Sequence, residues 1–427
     1  MTKRTRTVLF IVSILLFLLL CPFFILYPQG YRIDFKSQEG GVRIVRVGGI
    51  FLKVYPKRAD VYVDGNLKKR GDYLSGDVFF EGLYPRKYKI EVKKTGYYTW
   101  EKTLRVKEKE VTDAKNIILF PEQLKVESIT TGVKQFWFAP DKKKVVLEEE
   151  EKNGWAIKLY DIDQKLKSIL FEEKTVFPKG VDFVNIEFSP DSKEIYLEIG
   201  QREQGKYFKI ELEKSSSKLI PTEEPKFPIE EALSYVKSNG NTYYLDKYGY
   251  VFLIDSSNKE IKVNETPFEI KQETEYQLNI FQNIIFIREN NTLYQYNSQL
   301  ASFEKLFEPV KEIQLSPDQK RLAYRSDSEA WVLFLKENTS MPQRKAGDKV
   351  FLLRFSEPIK EFFWLDSDYL IFNVNGTIKI AEIDDRDKVQ VFNIGIFNDS
   401  KMFFNQLDKK IYLLSEGVLY GSDVLIP

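Results

Sequence analysis

The sequence predicts an all-β protein carried on one N-terminal transmembrane helix: a small antiparallel β-sandwich followed by a seven-bladed β-propeller. Three observations predict it. A charge-free apolar run fills Val8 to Tyr27. Short alternating strands with basic faces follow it. A Pro-Asp turn then recurs at blade-length spacing through roughly the last 300 residues.

The apolar run is as long as a helix that crosses the hydrocarbon core, roughly 30 Å at about 1.5 Å per residue. Lys3, Arg4 and Arg6 precede it, with no acid among them. Retention of positive charge on the cytoplasmic side predicts an N-in orientation, with the rest of the chain outside. The run exceeds a secretory signal core, and Pro28-Gln29-Gly30-Tyr31 is no Ala-x-Ala-like cleavage site. A cleaved signal is therefore the weaker reading. Cys21 follows Leu18-Leu19-Leu20 rather than small residues, so lipidation is weaker still. Pro22 is tolerated in a membrane helix, and Tyr27 and Tyr31 fit an aromatic belt at its outer end.

Composition narrows the chemistry. The chain of 427 residues holds 33 Phe and 24 Tyr, which favours strands. It has one Cys, so no intrachain disulfide forms, and no His. That removes the commonest general base, the Ser-His and Cys-His pairs and the usual zinc ligands. The net charge of +1 hides an asymmetry. Residues 1–50 carry 7 Lys/Arg against 2 Asp/Glu, and residues 51–120 carry 16 against 10. Residues 121–427 carry 41 against 51. A basic module next to the membrane is drawn to anionic headgroups or envelope polymers, although solvated strand faces give the same pattern.

Five segments are expected: a basic N-terminus (1–7), the span (8–27), a connector (28–49), the sandwich (50–121) and the propeller (122–427). In the connector, 42–47 is strand-like. In the sandwich, Ala59, Val61 and Val63 alternate with Asp60, Tyr62 and Asp64, and Asp64-Gly65 reads as a turn. Tyr88, Ile90 and Val92 alternate with charged residues, and Lys94-Thr95-Gly96 turns the chain into Tyr97. About six short strands result. Pro56 is expected at the start of a strand, where its missing N–H is harmless.

These residues resemble a PEGA domain. Tyr55-Pro56-Lys57-Arg58-Ala59-Asp60-Val61-Tyr62-Val63-Asp64-Gly65 is similar to its opening, with Pro56 and Ala59 kept and Lys57 and Arg58 in place of Glu and Gly. Leu83-x-x-Arg86-x-Tyr88-x-Ile90-x-Val92 and then Gly96-Tyr97 resemble its second half, with Arg86 where the family usually has Gly. The resemblance covers about 70 residues. It implies a structural or interaction role in an envelope or surface protein, with no catalytic residues.

The longer segment is decided by repetition. Phe138-Ala139-Pro140-Asp141 is echoed by Phe188-Ser189-Pro190-Asp191 and by Leu315-Ser316-Pro317-Asp318, each followed by a strand. Pro presets φ for the turn, and Asp can accept from the backbone two residues on. Weaker copies start at Phe363 and Phe404. Pro140 and Pro190 are 50 residues apart, and the 127 from Pro190 to Pro317 leave room for two degenerate units. Seven units of about 44 residues match a four-stranded blade. The last unit lacks strands, so Gln123 to Ser128 is expected to complete it by pairing the two ends of the chain. The copies resemble the WD-like Pro-Asp repeats of the Tol-system propeller and of prolyl-oligopeptidase-type propellers, which implies a fold and no function.

No catalytic constellation is legible. There is no Ser-x-Asp-x-Gly-x-x-Trp box and no Gly-x-Ser-x-Gly elbow with a His. Asp384-Asp385-Arg386-Asp387 and Asp161-Ile162-Asp163 do not fit a calcium loop and read as blade turns. Glu148 to Glu151 reads as a solvated loop edge. Trp155, Trp331 and Trp364 read as core or inter-blade packing rather than sugar platforms. No cofactor, metal or nucleic-acid partner is expected. The favoured function is a membrane-anchored extracytoplasmic platform for an envelope protein or polysaccharide. The alternatives are an envelope glycan hydrolase using Asp/Glu carboxylates on the propeller face and a purely structural protein that self-associates.

Overall fold

The structure, a computed structural model, describes residues 3–34, 43–152, 154–177, 181, 183–200, 206–212, 218–223 and 232–427. The apolar run forms the helix α1 (Lys3–Leu26) with Pro22 inside it. Its 22 residues Thr5–Leu26 are long and apolar enough to cross a membrane, properties that a signal sequence shares. Tyr27 lies just beyond the helix end.

Strand β1 (Tyr31–Asp34) pairs antiparallel with β2 (Arg43–Arg46) directly after the helix.

The sandwich holds seven strands in two sheets: β3 (Gly48–Tyr55), β4 (Asp60–Val63), β5 (Asn66–Arg70), β6 (Asp77–Leu83), β7 (Lys87–Lys93), β8 (Trp100–Arg105) and β9 (Val111–Ile118). The sheet orders are β6-β3-β9 and β5-β4-β7-β8. The expectation of a wholly antiparallel sandwich is corrected, because β3 and β9 pair in parallel. Five strands lie between them in sequence, so the chain re-enters the first sheet after building the second. Pro56 also departs from expectation: it sits in the link after β3, four residues before β4.

The alternation reads true. Ala59, Val61 and Val63 are buried, as are Tyr88, Ile90 and Val92. Asp64 and Gly65 join β4 to β5 with φ of 50° and 78°, the positive pair of a tight hairpin turn. The Asp64 carboxylate accepts from the Lys89 N–H at 3.0 Å and the Arg86 guanidinium at 2.8 Å. The turn is thereby tied to the neighbouring strand β7. Gly96 takes φ of 80° in the turn before Tyr97, whose N–H bonds to the Lys94 carbonyl at 3.1 Å.

After residue 125 the described strands form seven four-stranded sheets. Six are consecutive in sequence, spanning 133–172, 183–222, 232–262, 276–307, 312–354 and 359–396. The seventh joins three C-terminal strands in 401–422 to Val126–Thr131, which pairs antiparallel with Val418–Ser422. The ends of the chain thus close the propeller, with the closing strand a few residues later than the sequence predicts. Runs such as Ile157 to Asp161 and Ile378 to Glu382 lie on third strands, each followed by an outer fourth strand.

Shared apolar clusters join neighbouring blades. Trp155 lies 5.5 Å from Phe183 of the next blade, and Trp331 lies 5.1 Å from Phe307 of the preceding one. Trp364 is buried and donates to the Gln314 carbonyl at 3.0 Å. The reading of Glu148 to Glu151 as a loop edge is corrected. These residues end the strand Lys144–Glu151, and Glu148 and Glu149 are buried. Glu149 is neutralised by Lys158 at 2.7 Å and Lys167 at 2.8 Å. Burial pushes the carboxyl of Glu148 up from its usual value.

Candidate functional site

The Pro-Asp motifs form the first turn of their blades. In each, the Asp carboxylate accepts the N–H two residues on: Asp141 from Lys143 at 2.9 Å, Asp191 from Lys193 at 3.2 Å, Asp318 from Lys320 at 3.1 Å. The weak copies do the same, with Asp366 accepting from Asp368 at 2.7 Å and Asp408 from Lys410 at 3.1 Å. Pro140, Pro190 and Pro317 stand one residue before the accepting Asp in each strong copy.

These turns also bond to one another around the ring. Gln282 donates to Gln319 at 2.7 Å, the Asp318 N–H to Ser367 Oγ at 3.1 Å, and Gln406 to the Trp364 carbonyl at 3.5 Å. Asn405 then donates to the Lys142 carbonyl at 2.9 Å, and the Asp141 N–H to Ser192 Oγ at 2.9 Å. Six successive first turns, from the fourth blade round to the second, are linked. The motif therefore stabilises one face of the propeller rather than presenting a reactive group.

The sandwich is packed against that face at the sixth blade. Trp100, Leu104, Ile118 and Phe120 share one buried core with Tyr369, Ile380, Phe392, Phe404 and Leu425. Phe120 lies 5.3 Å from Tyr369 and 5.6 Å from Phe392. Tyr369 OH donates to the Asn116 carbonyl and accepts from the Ile118 N–H, both at 3.1 Å. Asn116 donates to Asp366 at 2.9 Å and Asp368 at 3.0 Å.

At the centre of this contact is Lys102, whose side chain is 0% exposed. Its ammonium donates to three carbonyls of one loop: Asp384 at 2.5 Å, Lys388 at 2.8 Å and Arg386 at 3.1 Å. It also lies 2.6 Å from the Glu382 carboxylate, which takes a further bond from Trp100 Nε1 at 3.0 Å. A buried ammonium survives only when its charge is countered and its donors are used. Here three carbonyl dipoles and a carboxylate supply both.

The Asp384-Asp385-Arg386-Asp387 run is a turn, as read, between the third and fourth strands of the blade. Its work is to grip the sandwich. Arg386 chelates Asp384 at 2.6 Å and donates to the Asp113 carbonyl at 2.8 Å. Asp387 and Gln390 accept the Thr103 and Glu101 N–H groups of β8, at 2.8 and 3.1 Å. Since β8 is the edge of its sheet, these side chains occupy donors that an open edge would present. Asp161 likewise caps its own turn, accepting from Gln164 N–H at 2.8 Å.

Sequence reasoning missed Lys102, Glu382, Asn116 and Arg386. One signal was present: Lys102 stands between Trp100 and Leu104 at a spacing of two, so it occupies the inward register of β8. A lysine there demands a partner.

Burial pushes the Glu382 carboxyl up to about 7, against the opposing pull of Lys102. Burial also acts to raise Asp384, but its hydrogen bond to Arg386 and the nearby cations hold it below its usual value. The sign for Glu382 is that of an acid whose folded value exceeds its unfolded one. Its stabilising contribution is complete below about 4.5 and is lost as pH rises through about 7. The unfolding midpoint of the full chain in detergent is expected to fall over that window. Glu382→Gln cannot ionise and still accepts from Trp100, so it is expected to flatten the fall. An equal slope in both proteins would refute the assignment.

A cleft of about 280 Å³ opens where the sandwich meets the fifth and sixth blades, lined by Lys115, Asn116, Lys320, Arg321, Asp368 and Arg386 among others. Several of its charges are mutually engaged. Arg321 lies 3.3 Å from Asp368, Lys115 lies 2.6 Å from Asp113, and Arg386 holds Asp384. Among the described residues, no cluster of three or more Cys, Asp or Glu is arranged to hold a metal ion.

No family model matches the chain, and no curated protein matches it. The PEGA resemblance therefore gains no family support. Among solved structures, a streptogramin B lyase is similar to 70% of this chain over 98% of its own, at 10% identity and a TM-score of 0.41. The virginiamycin B lyase of Staphylococcus aureus is similar to 71% over 99% of its own, at 14% identity and 0.41. The Cps50 (Swd1) β-propeller domain of Myceliophteria thermophila is similar to 71% over 100% of its own, at 8% and 0.41. At these values the likenesses say nothing about what this chain binds or does. The propeller rests on its own seven sheets and their closure.

Proposed function

We propose that this chain is a membrane-anchored extracytoplasmic scaffold of the cell envelope, with the propeller as a platform for a protein or polysaccharide. The sandwich, read as a PEGA-like module, is the spacer that sets the platform's position. One observation carries the reading: sandwich and propeller share a single buried core locked by Lys102, immediately after a helix fit to cross a bilayer. A propeller on a flexible tether needs no such lock, whereas a platform of fixed attitude does.

The rival is a glycan hydrolase. Around the cleft, Glu382, Asp384, Asp366 and Asp368 are each held by a cation, an amide or their own turn. Carboxylates tied in this way are suited to holding the joint rather than to proton transfer with a substrate, and this supports the platform.

The test is cross-linking in intact envelopes, then recovery of the full chain under denaturing washes. A defined envelope protein or glycan adduct is expected, absent from a control that carries residues 1–49 alone. No adduct above that control would overturn the platform reading. Release of new reducing ends from envelope glycans by the purified chain would replace it with the hydrolase.

A further inference from the structure

We infer that the β1–β2 hairpin lies in the lipid headgroup layer beside the outer end of α1, giving the outer region a second contact with the bilayer. The inference rests on the proposed reading of α1 as a membrane span.

The register sorts the hairpin's side chains. Tyr31 pairs with Arg46 and Ile33 with Ile44, so these four share one face. Ile33 and Ile44 are 47% and 67% exposed, although they are directly opposed aliphatic residues. Water is a poor place for such a pair, and among the described residues none covers them.

The position of the hairpin supplies the missing cover. Four residues separate Leu26 of the helix from Tyr31. The Gly30 N–H closes onto the Tyr27 carbonyl at 3.1 Å, and the Val47 N–H bonds to the Gly30 carbonyl at 2.9 Å. Both ends of the hairpin are thus fastened to the helix exit, which keeps it close to the hydrocarbon boundary.

The polar chemistry fits the same layer. The Arg32 guanidinium stands 3.4 Å from the Tyr27 ring centroid and donates to the Tyr27 carbonyl at 2.8 Å. Arg46 stands 4.3 Å from the Tyr31 ring centroid. Stacked Tyr and Arg suit the zone between acyl chains and phosphates, where an aromatic body meets apolar matter and a guanidinium fork meets oxyanions. The 107–110 loop adjoins the hairpin, with the Lys109 N–H bonded to the Val47 carbonyl at 3.2 Å, and its two lysines are balanced by Glu108 and Glu110. Anionic lipid is the occupant that this combination of exposed isoleucines and arginine-stacked tyrosines matches.

The contact has a mechanical consequence. Tyr84 OH donates to the Ile33 carbonyl at 3.3 Å, and the Lys109 N–H to the Val47 carbonyl just after β2 at 3.2 Å. Hairpin and sandwich are therefore joined, and the sandwich is locked to the propeller through Lys102. Seating the hairpin on the bilayer fixes the attitude of the whole outer region.

The test uses the full chain with Cys21→Ser and one new cysteine carrying a polarity-sensitive dye, in vesicles of phosphatidylcholine and phosphatidylglycerol. Phe17→Cys reports the span, Ile44→Cys the hairpin and Val424→Cys the C-terminal segment of the propeller. These positions are 67%, 67% and 57% exposed in the protein. Lipids bearing a spin label near the headgroup are expected to quench the dye at 44 at least twofold more than at 424. Lipids labelled deep in the acyl chain are expected to quench it at 17. Adding Arg32→Glu and Arg46→Glu is expected to reduce quenching at 44. If 17 is quenched while 44 behaves like 424, the hairpin proposal is overturned and the span stands. A dye at 44 that is blue-shifted but unquenched by lipid would place it against protein and also overturn the proposal. If 17 is unquenched, the span reading itself falls.

Discussion

Deleting residues 418–427 is expected to abolish cooperative unfolding of the propeller. The deletion removes the strand Val418–Ser422, which is the only hydrogen-bonded neighbour of Val126–Thr131 in the described sheet. It also removes Leu419, Leu425 and Ile426 from buried clusters. An open ring exposes two strand edges and the faces of the first and seventh blades, and among the described residues no other strand pairs with Val126–Thr131. Near-ultraviolet circular dichroism and limited proteolysis of the purified chain would report the loss. A milder probe is Leu419→Ala, which should cost about 2–5 kcal/mol as a buried large-to-small change. Retention of a sharp unfolding transition by the deletion would mean that closure by strand exchange is dispensable.

Lys102→Ala is expected to destabilise the docked state by about 3–5 kcal/mol at neutral pH and above, the usual cost of stripping one partner from a buried ion pair. Three carbonyls of the 384–388 loop would lose their donor, and Glu382 would be left buried without a counter-charge. Because burial already draws the Glu382 carboxyl toward protonation, the cost should shrink as pH falls below about 7. The joint also rests on apolar packing, so the expected product is a loosened loop before global unfolding. Denaturant unfolding with proteolysis of the 384–388 loop would separate these stages. A cost below about 1 kcal/mol would mean that Lys102 behaves as an exposed pair does.

How much of this was legible beforehand depends on the range of the interaction. Asp64-Gly65, the Pro-Asp turns and the alternation through Val61, Val63, Tyr88 and Ile90 are set within a few residues, and each is found as read. The spacing of the Pro-Asp turns also carried the four-stranded repeat, because a repeat must bury its faces against copies of itself, and the shortage of strands after Asn405 carried the closure. Pro56 was misplaced because strand ends depend on where a partner strand stops. The parallel pairing of β3 with β9 was hidden because residues 48–55 and 111–118 carry no mark of which strand lies between them in space. Glu148 and Glu149 looked like a solvated charge run, and only the third and fourth strands of their blade bring Lys158 and Lys167 to them.

The sequence by itself determined the apolar helix, the strand-rich outer region and the repeating turns, since these follow from local hydropathy, period and turn chemistry. Only the tertiary structure decided which residues join the two outer units in one buried core. Lys102 and Glu382 lie 280 residues apart, and neither resembles a docking residue until burial removes water and makes each the other's necessary partner.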